Sequence, residues 1–200
     1  MTCFASRTLE RVLWSFPALV MASFGEAAEI EIVALGASHT YSKGVERSDT
    51  YPAQLERLLR AKGFDVRIVN EGFSGDTTWG MLARLNRSLS DRTKLLILQP
   101  GGNDARARRR SHGPDTMDTI AEIVSGAKTR GIAVAVIRTR VRTPVALDGA
   151  VDCGMTSDGI TPSEMQFDQE HFTPAGYAIV AERVASCVIP LLHKLDKSRE

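Results

Sequence analysis

The sequence predicts a single doubly wound α/β domain, with one parallel sheet flanked by helices on both faces in a flavodoxin-like, three-layer α/β/α arrangement. Three observations predict it. Short β-rich segments alternate with segments of helical spacing from residue 29 to residue 192. The strand segments are apolar almost throughout rather than alternating, as expected of strands covered on both faces. A chain of 200 residues, without an internal repeat or a low-complexity linker, suits one core of ordinary size.

Residues 29–35, from Glu29 to Leu35, read as the first strand, ended by Gly36. Residues 51–62 carry Leu55, Leu58 and Leu59 at helical spacing and stop at Gly63. Residues 65–69 form the second strand. Residues 77–89 place Met81, Leu82, Leu85 and Leu89 on one helical face. Residues 94–98 are the third strand, and residues 115–130 a third helix closed by Gly131. Residues 132–137 are the fourth strand. Residues 139–166 are rich in Gly, Pro, Asp and Thr and read mostly as loop, with room for a short fifth strand. Residues 174–192 close the chain as a helix with a stripe of Ile179, Val180, Val184 and Val188.

The first 27 residues stand apart from this pattern. Arg7 and Arg11 precede an apolar run from Val12 to Ala22, and small residues follow up to Ala27 and Ala28. The run is shorter than the roughly 20 apolar residues that span a bilayer. The order of basic, apolar and small residues is that of a secretory signal peptide, against the plainer alternative of an N-terminal extension. Residues 28–200 then form the mature domain, periplasmic or secreted, with no stable membrane insertion once the signal is removed. In an oxidising compartment Cys153 and Cys187 form either a disulfide or two unpaired thiols. Lys+Arg 25 against Asp+Glu 24 leaves a net charge of +1, which gives no ground for a nucleic-acid partner or an anionic membrane surface.

Ser38, Gly75 and Asn103 each follow a predicted strand, and in a parallel sheet the reactive crevice lies beyond the carboxyl ends of the strands. These residues should therefore meet at one edge. Asp168 and His171 lie three residues apart before the last helix. Together they supply a hydroxyl, a base, a carboxylate to hold the base, and donors for an oxyanion, which is the requirement of acyl transfer through serine. Each residue also has an ordinary reading as a cap, a turn residue or a surface histidine. The sequence shows no metal-ligand spacing and no phosphate-binding loop, so no cofactor is expected.

Four blocks carry a family resemblance. They are Ala34-Leu35-Gly36-Ala37-Ser38-His39-Thr40, Asn70-Glu71-Gly72-Phe73-Ser74-Gly75-Asp76-Thr77, Gln99-Pro100-Gly101-Gly102-Asn103-Asp104, and Asp168-Gln169-Glu170-His171-Phe172-Thr173-Pro174. In this order they resemble the SGNH hydrolases, also called the GDSL esterase/lipase family, and within it the bacterial lysophospholipase/thioesterase/arylesterase branch. The resemblance implies Ser38 as nucleophile, His171 as base and Asp168 as its partner. It implies an oxyanion hole from the N–H groups of Ser38 and Gly75 and the amide of Asn103. It also implies a small-molecule ester or thioester substrate: short acyl, aryl or lysophospholipid-type. The chain departs from the family pattern at Ala37, where the family has Asp, and at His39, where it usually has Leu. His39 either contacts substrate or is a partly exposed loop histidine. Arg106, at the head of a run with Arg108, Arg109 and Arg110, either attracts an anionic substrate or belongs to a solvated basic loop. Two rivals remain: a carbohydrate O-acetylesterase of the same superfamily, and a catalytically silent binding module on an esterase scaffold.

Overall fold

β1 (Ile30–Gly36) is buried along its whole length and pairs in parallel with a strand on either side. After it come α1 (Ser38–Tyr41), α2 (Tyr51–Ala61), β2 (Val66–Gly72), α3 (Thr78–Ser88) and β3 (Thr93–Gln99). The chain continues through α4 (Asn103–Arg108), α5 (Thr116–Thr129), β4 (Ala133–Arg138), β5 (Ala150–Met155) and α6 (Pro174–Lys197). The computed structural model describes residues 29–100, 102–109, 113–139, 147–166 and 168–197. The expected signal peptide lies outside them, as does Arg110.

The five strands run in the order β2-β1-β3-β4-β5, all parallel. The predicted doubly wound sheet is therefore the observed one. α2 and α6 pack together on one face, over Ile32, Ala34, Leu95 and Ile97. α3 and α5 pack on the other, over Val33, Leu35, Leu96 and Leu98. Successive residues of β1 and β3 thus feed opposite cores, so neither strand has a polar face to show. The edge strands differ. β2 leaves Arg67 and Asn70 exposed, and β5 is only partly buried, because one side of each meets no further strand among the described residues.

Helix starts follow side-chain caps. Thr50 accepts from the N–H of Ala53 at 3.4 Å, Thr77 from that of Gly80 at 3.2 Å, and Asp115 from that of Met117 at 2.7 Å. The structure corrects the sequence reading in two places. Residues 38–41 and 103–108 are short helices, α1 and α4, so Arg106 and Arg108 stand on a helix and not in a loop. Four and six residues are too few to display a helical period. The fifth strand is present as β5, and α6 runs five residues past the expected end, with Pro190 inside it. Cys153 of β5 and Cys187 of α6 form a disulfide, which decides the question the sequence left open.

Candidate active site

β1 leads to one neighbour, β2, and β3 lies on its other side, so the strand order reverses between the carboxyl ends of β1 and β3. A crevice opens at such a point. The chain turns sharply there. Gly36 ends β1, Ala37 takes φ −95° and ψ −144°, and Ser38 begins α1. The turn is possible because Gly36 and Gly72 have no side chains. A Cβ on Gly72 would lie 2.0 Å from the backbone nitrogen of Tyr41, and one on Gly36 would lie 2.9 Å from the Cβ of Gln99. As a first-turn residue Ser38 presents an N–H that has no acceptor within the helix. Its side chain is half-buried and lines a cleft of about 330 Å³ with Gln99, Asn103, Arg106, Thr139 and Glu170.

Gln99, at the end of β3, floors this cleft. Its amide accepts from the Thr40 hydroxyl at 3.2 Å, and donates to Pro100 O at 3.0 Å and to Thr139 Oγ1 at 3.2 Å. The three inner strand ends are thereby linked by one side chain whose polar atoms are satisfied. Gly75 takes φ +84°, a backbone state that favours glycine. Asn103, the first residue of α4, donates from Nδ2 to the Asp76 carbonyl at 2.8 Å. That bond sets the Asn103 amide beside the Gly75 turn and leaves its second N–H available. Asp104 is buried and accepts from the Thr78 N–H at 2.7 Å and from the Thr78 hydroxyl, which fastens the start of α4 to the start of α3.

His171 lies on the loop before α6 and is buried. Its Nδ1 is 2.6 Å from Asp168 Oδ2. Asp168 Oδ1 accepts from the N–H groups of Glu170 and His171, both at 2.9 Å. These bonds fold residues 168–171 into a tight turn, with Gln169 at φ +54°. They also hold the Asp168 carboxyl well below the usual carboxylate range, first through the His171 N–H, then its ring, then the Glu170 N–H. A charged carboxylate at Nδ1 keeps the proton there and leaves Nε2 with a lone pair. Nε2 is buried and has no hydrogen-bond partner among the described residues.

His39 joins the two halves. Its ring centroid lies 5.4 Å from that of His171 and 4.8 Å from that of Phe172. The expected loop histidine is thus a helical residue only 6% exposed, packed against the imidazole of His171. This contact brings the residue next to Ser38 against a histidine 132 positions later. Arg106 Nη2 lies 3.8 Å from Glu170 Oε1 across the cleft. The pair is solvent-exposed and adds little to stability. Of the residues named from sequence, Ser38, His39, Asn103 and Arg106 line the cleft together. Asp168 and His171 are bonded to each other, and Gly75 is held to Asn103 through Asp76. Sequence reasoning passed over Gln99, Asp104, Gln166 and Arg84. Gln99 ends β3, Asp104 lies in the first turn of α4, Arg84 stands mid-α3 and Gln166 in the loop before α6, and only the contacts made on folding mark them out. Among the described residues no cluster of three or more His, Cys, Asp or Glu side chains offers a metal site.

Residues 34–152 match the model of the GDSL-like lipase/acylhydrolase family. The chain is 36% identical over 80 residues to esterase TesA of Pseudomonas aeruginosa, a stretch covering 40% of each. It is 31% identical over 123 residues to an arylesterase of Vibrio mimicus, covering 60% of this chain and 59% of that one. These alignments span about two fifths to three fifths of the curated relatives' lengths. The crystal structure of TesA superimposes with a TM-score of 0.70 at 24% identity, over 80% of this chain and 99% of that one.

Proposed function

The chain belongs to the GDSL-like lipase/acylhydrolase family, and from that premise we propose that it is a serine hydrolase of small carboxylic esters and thioesters. The observation that carries this reading is the buried Nε2 of His171. Among the described residues it has no hydrogen-bond partner, its ring is oriented by Asp168, and its neighbours Glu170 in sequence and His39 in space line the cleft with Ser38 and Asn103. Ser38 Oγ attacks the carbonyl carbon while His171 Nε2 takes its proton, and the carbonyl π pair becomes the oxyanion. The N–H groups of Ser38 and Gly75 and the second N–H of Asn103 receive that oxyanion. Collapse expels the alcohol or thiol, protonated by His171, and leaves an acyl-Ser38. Water, deprotonated by His171, then releases the acid.

The cleft supports a short acyl group. About 330 Å³ is at the small end for ligand sites, and Ala37 is the one aliphatic side chain among its described lining residues. To reach the neighbouring hollow lined by Ile160, Met165 and Phe172, a long acyl chain would have to leave this polar space. Arg106 lines the same space and suits a polar or anionic substituent near the scissile bond, and His39 backs the nucleophile. The same polar lining favours, as a second reading, acetyl esters of carbohydrates. Export through the N-terminal segment is supported by the Cys153–Cys187 bond, since such bonds persist in oxidising compartments. The mature chain is then expected to begin near residue 28, and an intact mass that retains Met1 would refute it.

The decisive experiment labels the protein with an alkyl fluorophosphonate and measures hydrolysis of p-nitrophenyl esters of increasing acyl length. Wild type should label and should prefer acetate or propionate. Ser38→Ala should not label and should lose at least about 10⁴-fold in kcat. Activity surviving in Ser38→Ala would reject the assignment, and a rate rising toward decanoate would reject the short-acyl part of it. Failure of folded wild type to label would favour a binding module. Acetate release from acetylated glycans that exceeds p-nitrophenyl acetate turnover would favour the second reading.

A further inference from the structure

Arg84 stands in the middle of α3, where a solvent-facing arginine would be unremarked, yet it is only 5% exposed. All five of its N–H donors are engaged. Nε donates to Asp76 Oδ2 at 2.9 Å. Nη1 donates to Glu71 Oε2 and to Ser88 Oγ, both at 3.3 Å. Nη2 donates to the Glu71 carbonyl at 2.8 Å and to the Gly36 carbonyl at 3.3 Å. The Phe73 ring lies over the guanidinium carbon at 5.7 Å.

The acceptors belong to the segments that build the cleft. Gly36 is the last residue of β1, two before Ser38, and its carbonyl also accepts the Phe73 N–H at 2.9 Å. Asp76 follows Gly75, and its own carbonyl holds the Asn103 amide at 2.8 Å. One guanidinium therefore spans the peptide that leads into Ser38 and the turn that presents Gly75 and Asn103. We infer that Arg84 is a positioning residue for the oxyanion site, fixing where Gly75 and Asn103 aim their donors relative to Ser38. The inference rests on the reading of Ser38, Gly75 and Asn103 given above.

Only arginine fits this role by chemistry. Its donors leave a rigid plane in five directions, whereas a lysine ammonium offers three from one point. A shift of a few tenths of an ångström in the Gly75 turn changes little for a planar ester. It matters for the tetrahedral oxyanion, whose bonds must be short to count. Loss of Arg84 should accordingly act on kcat and on transition-state mimics, and leave ground-state binding alone.

The test compares wild type, Arg84→Lys, Asp76→Asn and Ser38→Ala in the mature protein. It reads folded fraction by circular dichroism, kcat and KM on p-nitrophenyl acetate, and Ki for a trifluoromethyl ketone, whose hemiketal mimics the oxyanion. Arg84→Lys should lose about 10- to 100-fold in kcat, a part of what one lost donor costs, with KM within about threefold. Its Ki for the ketone should rise in proportion, while inhibition by acetate stays level. Asp76→Asn, which keeps one acceptor oxygen, should show the same split to a smaller degree. Folded Arg84→Lys with wild-type kcat would overturn the inference. So would a loss that merely follows the unfolded fraction, or the failure of both variants to fold, since either makes the network structural alone. If Ser38→Ala retains turnover, it is the hydrolase reading that fails.

Discussion

On one side of the cleft, Asn103 opens α4, Asp104 grips the start of α3, and Arg84 binds the ends of β1 and β2. On the other side, His171 rides a loop whose shape comes from its own side chains: Asp168 folding the turn, and Gln166 reaching across to the segment after α1. The first side is built from the ends of regular elements, tied by buried charge. The second is built from local hydrogen bonds at the surface, with the Asp168 side chain 42% exposed. Rate and stability therefore part between the two sides. Buried charges stripped of partners cost folding energy as well as geometry. A surface turn can lose its shape while the core stays intact.

The largest effect expected on the loop side is that of Asp168→Asn. An amide at this position can donate its N–H to Nδ1 of His171 and so drive the ring proton to Nε2, where a base must be empty. kcat should fall by about 10³- to 10⁴-fold at neutral pH, with KM little changed. The pH dependence sharpens the point. Because the Asp168 pKa is lowered in the folded state, the carboxylate contributes stability fully above its unfolded value of about 3.9, and loses it as pH falls through the lower folded value. The difference in Tm between wild type and Asp168→Asn should therefore stay constant from neutral pH down to about 5 and shrink only below about 4. A difference that already changes near neutral pH would assign the effect to another group. An unchanged kcat would remove Asp168 from the mechanism.

The disulfide offers the opposite case, an effect on stability without one on rate. Cys153 and Cys187 are 34 positions apart, and neither lines the cleft. Closing a loop of that length lowers the entropy of the unfolded chain, typically by about 2–4 kcal/mol, or roughly 5–15 °C in Tm for a domain of this size. The Cys153→Ala/Cys187→Ala variant should show that loss, with kcat within about twofold of wild type below its Tm. A large fall in kcat would mean that the β5–α6 junction shapes the site as well as the stability.

How much of this was legible in the sequence follows from which forces wrote it. The apolar runs from Ile30 to Leu35 and from Leu95 to Leu98 have no polar alternation, so a covered parallel sheet was readable from them. Ser38, Asn103, Asp168 and His171 could be named from the sequence because the proposed acyl transfer uses those residue types after those elements. α1 and α4 were not, being shorter than the repeat that would reveal them. Nor was Arg84. On α3 it has the spacing of a buried position but the side chain of a surface one, and only the five acceptors brought to it by folding explain it. The loop alternative for His39 fails for a related reason. A polar residue in a turn is usually solvated, but this one packs between His171 and Phe172, a contact made across more than 130 residues.

The smallest of these effects tests how firmly the loop side needs its brace. Gln166 Nε2 donates to the Lys43 carbonyl at 2.8 Å and to the Phe172 carbonyl at 2.7 Å, and its own N–H donates to the His171 carbonyl at 2.7 Å. Its amide thus links the segment after Ser38 to the residue after His171. The fit is close, since a Cβ on Gly44, at φ +88°, would lie 2.2 Å from Gln166 Oε1. Gln166→Ala keeps the backbone bond and removes the bridge. It should cost about 1–2 kcal/mol, the worth of two partly exposed hydrogen bonds. It should also lower kcat by about five- to tenfold, as His171 spends less time aligned with Ser38. Gln166→Glu cannot donate to either carbonyl and should be no better. If Gln166→Ala turns over at the wild-type rate, the Asp168 turn alone positions the base, and the brace serves stability only.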